Sequence, residues 1–224
     1  MKELTMENDD DGRLRRAIEL TLLAPAARRA QLDALCAAAA EHRFHGVCVN
    51  PVHVTHCRRL LGHGGPRLVT VVGFPLGENR SEVKSREAML ALEDGADELD
   101  MVMALGDARE GRWDRVQQDI AAVVAVCGRA PVKVILETCL LDNAEKRRAC
   151  QVARDAGAKF VKTSTGFASG GATVADVALM REVVGDALGV KASGGIRSRA
   201  FALQLLAAGA SRLGTSSGIA LLSC

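Results

Sequence analysis

The chain has 224 residues, nearly half of them apolar and a quarter charged, which is enough for one substantial core in a globular protein. Twenty-nine basic and 27 acidic side chains leave a formal net charge of +2, so nothing calls for an acidic partner. Tyr is absent, Trp occurs once and Phe five times, so aromatic platforms for stacking nucleic-acid bases are hard to build, and no apolar run is long enough to span a bilayer.

The polar start, residues 1–12, is expected to fray, and it lacks the apolar stretch of a signal peptide. From there one pattern recurs. A short β-branched run ends in a polar or Gly-containing segment, and an Ala-rich or amphipathic stretch follows. The runs are Ile18–Thr21, Gly46–Asn50, Val69–Phe74, Glu98–Met103, Val132–Thr138, Phe160–Thr165, Gly189–Gly194 and Arg212–Ser216. Between them, Ala27–Glu41 reads as a helix, and Ser81–Asp94 as a helix capped by Ser81. Thr173–Val184 opens with a capping-box-like Thr-Val-Ala-Asp and carries Val177, Met180 and Val184 at helical spacing, and Ser198–Ala208 is another capped helix.

Strands alternating with helices imply right-handed βαβ units and a parallel sheet. Eight such units predict an α/β chain forming a single-domain (β/α)8 TIM barrel. Without the short first run, the count would suit an open doubly wound sheet.

In such a barrel, chemistry sits at the carboxyl ends of the strands. Lys162 and Lys191 lie inside runs otherwise typical of buried strands, where a solvated ammonium has little room. Period-two alternation puts Lys162 with Phe160 and Ser164, and Lys191 with Gly189 and Ser193. If both faces point inward, the amines lie side by side and each disfavours protonation of the other. A neutral lysine is a nucleophile for carbonyl groups. The plainer reading is a lysine that reaches solvent or pairs with a carboxylate. Asp100 sits in an apolar run and suits a proton relay, or alternatively a buried ion pair with Lys133 or Lys191. Lys133 and Glu137 share parity on the fifth strand and read as a supporting charge network. The residues alone do not say which of the two amines is the nucleophile.

Gly166, the pair Gly194-Gly195 with Arg197, and Gly214-Thr215-Ser216-Ser217-Gly218 follow the sixth, seventh and eighth strands. Glycines let backbone N–H groups approach an anion, and loops after strands seven and eight are the usual phosphate site of such barrels. His53, His56 and Cys57 lie in a surface helix without paired carboxylates, so no metal site is expected. Cys48 has inward parity and reads as a small buried filler. The seven cysteines are odd in number, widely spaced and free of any CxxC, which fits reduced thiols in a cytoplasmic protein better than a disulfide framework.

The chain resembles the deoxyribose-phosphate aldolases from about Ile18 to Leu222. The most specific pieces are Phe160-Val-Lys-Thr-Ser-Thr-Gly-Phe167 and Gly189-Val-Lys-Ala-Ser-Gly-Gly-Ile-Arg197. Val47-Cys-Val-Asn-Pro51, Val72-Gly-Phe-Pro-Leu-Gly77, Gly95-Ala-Asp-Glu-Leu-Asp100 and Leu213-Gly-Thr-Ser-Ser-Gly218 support them. The resemblance implies reversible cleavage of 2-deoxy-D-ribose 5-phosphate to glyceraldehyde 3-phosphate and acetaldehyde, with no cofactor beyond a covalent Schiff base. It assigns Lys162 as the Schiff-base lysine, Lys191 as the lysine that lowers its pKa, and Asp100 as the proton relay. Gly166, Gly194, Gly195, Gly214, Ser216 and Ser217 match phosphate-holding positions, and Thr21 a residue near the substrate. The implied partners are small phosphorylated sugars and aldehydes, with a homodimer or higher homo-oligomer as the assembly.

Three departures stand out. Where many members read Asp-His-Thr-Leu-Leu-Lys-Pro, this chain has Glu19-Leu20-Thr21-Leu22-Leu23-Ala24-Pro25. It has no tail tyrosine, so proton transfer would rest on Asp100, Lys191 and water. Phe167 stands where some members carry Lys. Two rivals remain open at this point: another barrel enzyme on sugar phosphates, and a barrel that binds a phosphorylated metabolite without turning it over.

Overall fold

A computed structural model describes residues 2–222, with side chains from Asp10 onward. Eight parallel strands close into a barrel in chain order: β1 (Ile18–Leu22), β2 (Gly46–Val49), β3 (Arg67–Val72), β4 (Glu98–Val102), β5 (Val132–Ile135), β6 (Phe160–Lys162), β7 (Gly189–Ser193) and β8 (Arg212–Thr215). The short first run is a full member. It pairs with β2 through Thr21↔Cys48 and with β8 through Glu19↔Gly214, which excludes the open sheet. The helices are α1 (Lys2–Ala17), α2 (Arg29–Glu41), α3 (Val54–Leu61), α4 (Ser81–Glu93), α5 (Leu105–Arg109), α6 (Trp113–Cys127), α7 (Asn143–Asp155), α8 (Val174–Val184) and α9 (Arg199–Ala207). None of them is long and apolar enough to cross a membrane.

Alternation along each strand divides the core in two. Outward residues such as Leu20, Val47, Leu99, Val134, Val161, Val190 and Leu213 are buried against the helix ring. That ring supplies Leu32 and Leu35 from α2, Ile120 and Val123 from α6, and Val177, Met180 and Val184 from α8. Each such side chain stabilises the fold by roughly 1.5–3 kcal/mol. Inside the barrel, Leu23, Cys48, Val69 and Val71 form a small apolar wall beside β2 and β3. The remaining strands turn charged residues inward.

Helix α1 begins at Lys2, and its far end is tied to the body. Leu14 and Ala17 are buried, Arg199 donates to Asp11 at 2.5 Å, and Arg15 donates to the His42 carbonyl at 2.7 Å. Met1 lies outside the described residues. Ser81 is not the cap of α4; Arg80 holds that position. The Ser81 hydroxyl instead donates to Asp119 at 2.7 Å, beside a buried ion pair in which Lys84 meets Asp119 at 2.6 Å and the Val102 carbonyl at 3.0 Å. Thr173 and Ser198 do cap their helices, accepting from Asp176 N–H and Phe201 N–H.

Candidate active site

Register sets the centre. Across β4–β5, Asp100 is opposite Lys133, and across β6–β7, Lys162 is opposite Lys191. Inward parity then gathers their heads on one carboxylate. Asp100 Oδ2 accepts from Lys162 Nζ at 2.8 Å and from Lys191 Nζ at 2.6 Å, while its Oδ1 lies 3.1 Å from Lys133 Nζ. Lys191 also donates to Glu19, and Lys133 meets Glu98 at 2.6 Å and Glu19 at 3.6 Å. Three lysine side chains therefore face three carboxylates inside the barrel, all buried. A buried charge is tolerated at such density only when it is paired, and removing one member strands the others.

The electrostatics revise one expectation. Burial alone would push the Asp100 carboxyl up, but Lys133, Lys162 and Lys191 outweigh it and hold Asp100 well below the usual carboxylate range. Burial would likewise lower Lys191, yet Asp100 and Glu19 outweigh burial and hold it charged, above the ordinary lysine value. Lys133 is raised for the same reason. The expected mutual lowering of two adjacent amines therefore fails for Lys191, because Asp100, and after it Glu19 on β1, sit against it.

A cavity of about 450 Å³ opens at the carboxyl ends of the strands. Lys162 lines it, whereas Lys191 lies beneath and is fully buried. Thr21, Gly166, Gly194, Gly195, Gly214 and Ser216 line it as well, with Arg197 and Phe167 at the rim. Ser217 does not. It faces a shallow depression on the other side of β1, and its N–H is spent on Thr215 Oγ1 at 2.9 Å.

Two loops of the rim are built alike. After β6, the Thr165 hydroxyl accepts the Phe167 N–H at 3.1 Å and donates to Glu137. After β8, the Thr215 hydroxyl accepts the Ser217 N–H and donates to the Ile196 carbonyl at 2.7 Å. Each hydroxyl closes a turn over the residue between. The N–H groups of those middle residues, Gly166 and Ser216, have no partner among the described residues. Gly166 has φ +86° and Gly195 φ +77°, with open space where a Cβ would stand, so backbone can approach an anion there. Leu23, Ala24 and Pro25 give the lining its apolar part, together with Phe167, which packs edge-on against Phe74 at 5.3 Å.

Other expectations sort as follows. Lys133 joins the charge network, but Glu137 does not. Strand β5 ends at Ile135, and Glu137 adopts a left-handed backbone at φ +52°, so strand parity no longer applies to it. Cys48 lies in the apolar wall, and burial pushes its thiol up to about 11. The six described cysteines are free; Cys224 lies outside the described residues. His56 pairs with Asp33 at 2.7 Å. A metal-like grouping of Glu19, His45 and Glu98 occurs at the barrel's amino-terminal end, but the Lys133 ammonium already stands 2.6 Å from Glu98 there.

The model of the DeoC/LacD family aldolases matches residues 7–223. The chain belongs to this family. A deoxyribose-phosphate aldolase of Thermotoga sp. (strain RQ2) is 52% identical over 206 residues, covering 92% of this chain and 83% of the relative. One from Streptococcus pneumoniae serotype 19F (strain G54) is 51% identical over 210 residues, covering 94% and 96%. The tetrameric deoxyribose phosphate aldolase of Aeropyrum pernix superposes with a TM-score of 0.88 at 35% identity, covering 98% of this chain and 94% of that one. This aldolase-family chain holds all its candidate residues inside the matched span. The motifs did not single out Glu98, Thr165 or the Thr215 clamp, and marked Glu19 only as a departure from the family pattern. The parity of Glu98 with Asp100, and of Glu19 with Thr21, was the available signal.

Proposed function

We propose that this chain is a class I aldolase that reversibly cleaves 2-deoxy-D-ribose 5-phosphate to D-glyceraldehyde 3-phosphate and acetaldehyde through a Schiff base on Lys162, in deoxyribose breakdown. One observation carries the reading: the Lys162 amine, 2.8 Å from a shared buried carboxylate, lies in a cavity rimmed by backbone N–H groups that have no partner among the described residues. The names of the relatives support the substrate.

In the cleavage direction, Lys162 in its amine form adds to the C1 aldehyde of the open-chain sugar. Its nitrogen lone pair forms the C–N bond, and the carbonyl oxygen becomes the hydroxyl of a carbinolamine. The Asp100–Lys191 pair, through a water, supplies the proton with which that hydroxyl leaves as water, and an iminium ion remains. The C3 hydroxyl then passes its proton through a water to the Asp100–Lys191 pair, the C2–C3 electrons flow into the iminium, and C3 departs as the aldehyde of glyceraldehyde 3-phosphate. The same pair, through water, returns a proton to C2 of the enamine left on Lys162, and hydrolysis of the resulting iminium releases acetaldehyde and restores the amine. The iminium is the electron sink, so no step calls for a metal or other cofactor. Gly166, Gly194, Gly195, Gly214 and Ser216, with Arg197, hold the phosphate and orient C1 toward Lys162. Ser217 shapes this rim through Thr215. Thr21 lies beside the reacting end. The same reading extends to a homo-oligomeric assembly, which light scattering measures.

The test is acetaldehyde release from 2-deoxy-D-ribose 5-phosphate. Steady turnover by the purified chain is expected. Tight binding of the sugar phosphate without release would contradict the reading.

A further inference from the structure

A buried carboxylate without a cation beside it is costly unless hydrogen bonds hold it. Glu137 is such a group: it is 2% exposed, and no described residue forms an ion pair with it. Its oxygens each lie 3.2 Å from the Thr165 N–H, and Oε2 also accepts the Thr165 hydroxyl proton. Its backbone is left-handed, a conformation a non-glycine residue keeps when its surroundings fix it. The next residue ties the same turn to the end of β6, where Thr138 N–H donates to the Thr163 carbonyl at 2.9 Å. Glu137 thus crosses from the β5 loop to the β6 loop and spends its charge on one threonine.

The consequence is selective. Thr165 N–H and its hydroxyl proton are committed to Glu137, and Phe167 N–H is committed to Thr165 Oγ1. Gly166 N–H alone of the three is left for the cavity. Glu137 itself does not line the cavity, so it touches no substrate. The matching loop after β8 is clamped by a neutral backbone carbonyl, that of Ile196. The β6 loop has a charged clamp on a side chain, which a single substitution can release.

We propose that Glu137 is a positioning residue: its carboxylate clamps Thr165 so that the Gly166 N–H is presented to the substrate phosphate. This rests on the function proposed above. The clamp acts on the phosphate arm and leaves the chemistry of Lys162 alone, so the two can be read separately.

Glu137→Gln keeps the shape but replaces one acceptor oxygen with an NH2 donor that opposes the Thr165 N–H. Two readouts are needed: the KM for 2-deoxy-D-ribose 5-phosphate, and the rate of borohydride inactivation with acetaldehyde, which carries no phosphate. The expected result is a KM raised about tenfold, the worth of one good hydrogen bond, with the acetaldehyde inactivation rate within about twofold of the parent. Inhibition by inorganic phosphate should weaken by a similar factor. An unchanged KM, or an equal loss in both readouts, would overturn the proposal. Should Glu137→Gln not fold by circular dichroism, Thr165→Val is read in the same way, since it removes the hydroxyl that reaches the carboxylate. A parent protein that does not release acetaldehyde sinks the function itself, a different failure from that of the clamp.

Discussion

Lys162 and Lys191 are opposite one another across the β6–β7 register, yet Lys162 lines the cavity and Lys191 lies beneath it. Both donate to the same oxygen of Asp100, so they share one counter-charge while differing in access. The difference divides the labour. In the reaction proposed above, the accessible amine meets the carbonyl, and the covered ammonium, held charged by Asp100 and Glu19, supports it from below.

Replacing Lys191 tests that division. Lys191→Met leaves Glu19 and Asp100 with one fewer ammonium in a buried site. The expected cost is about 3–5 kcal/mol of stability, read from denaturant unfolding. Acetaldehyde release should fall by roughly 10²–10⁴, the usual worth of a positioned acid or base. Loss of stability with undiminished turnover would remove Lys191 from the relay.

The double glycine after β7 separates two effects. Gly195→Ala meets no neighbour within 4 Å but must hold φ +77°, a strain of about 1–2 kcal/mol for a side-chain-bearing residue. Gly194→Ala carries the same strain at φ +86° and also brings its Cβ to 2.9 Å from the Gly171 Cα, where backbone must move. Melting temperatures should therefore rank Gly194→Ala below Gly195→Ala. Both variants should raise the KM for the phosphorylated sugar. The reverse order of stability would contradict the packing described here.

Acid should undo the barrel interior from the carboxylate side. Glu98, which burial alone would raise, is held down to about 2 by His45 and Lys133 against an ordinary value of 4.5, and Asp100 is also depressed. Folded values below the unfolded ones mean that the unfolded chain binds more protons in this window. Their stabilisation is thus complete above pH 4.5 and is lost as pH falls toward about 2. The melting temperature should drop across that range, and Glu98→Gln should flatten part of the slope. A slope unchanged by Glu98→Gln would place the acid sensitivity elsewhere.

The eight strands were legible because β-branched runs recur at barrel spacing, and because parity alone brings Lys162, Lys191 and Asp100 to one interior. Parity stops informing where a strand stops. Glu137 is two residues past Ile135 and turns left-handed, so its partner is Thr165 on the next loop instead of Lys133. Alternation also gives a face without giving the residue across the barrel. Glu19 and Lys191 are 172 positions apart, and their contact needs ring closure through β1 and β8. That contact adds to the Asp100 carboxylate in raising Lys191, where the two amines alone were expected to lower it. The polar start of α1 carries no apolar period before Leu14, so its helix was not apparent from pattern.

The central claim is that Lys162 forms the covalent intermediate. Borohydride added during incubation with 2-deoxy-D-ribose 5-phosphate, followed by peptide mass mapping, tests it most directly. The account predicts one reduced adduct on Lys162 and none in Lys162→Leu, with the variant still folded and still binding phosphate. An adduct on Lys191, or turnover that survives Lys162→Leu, would contradict it.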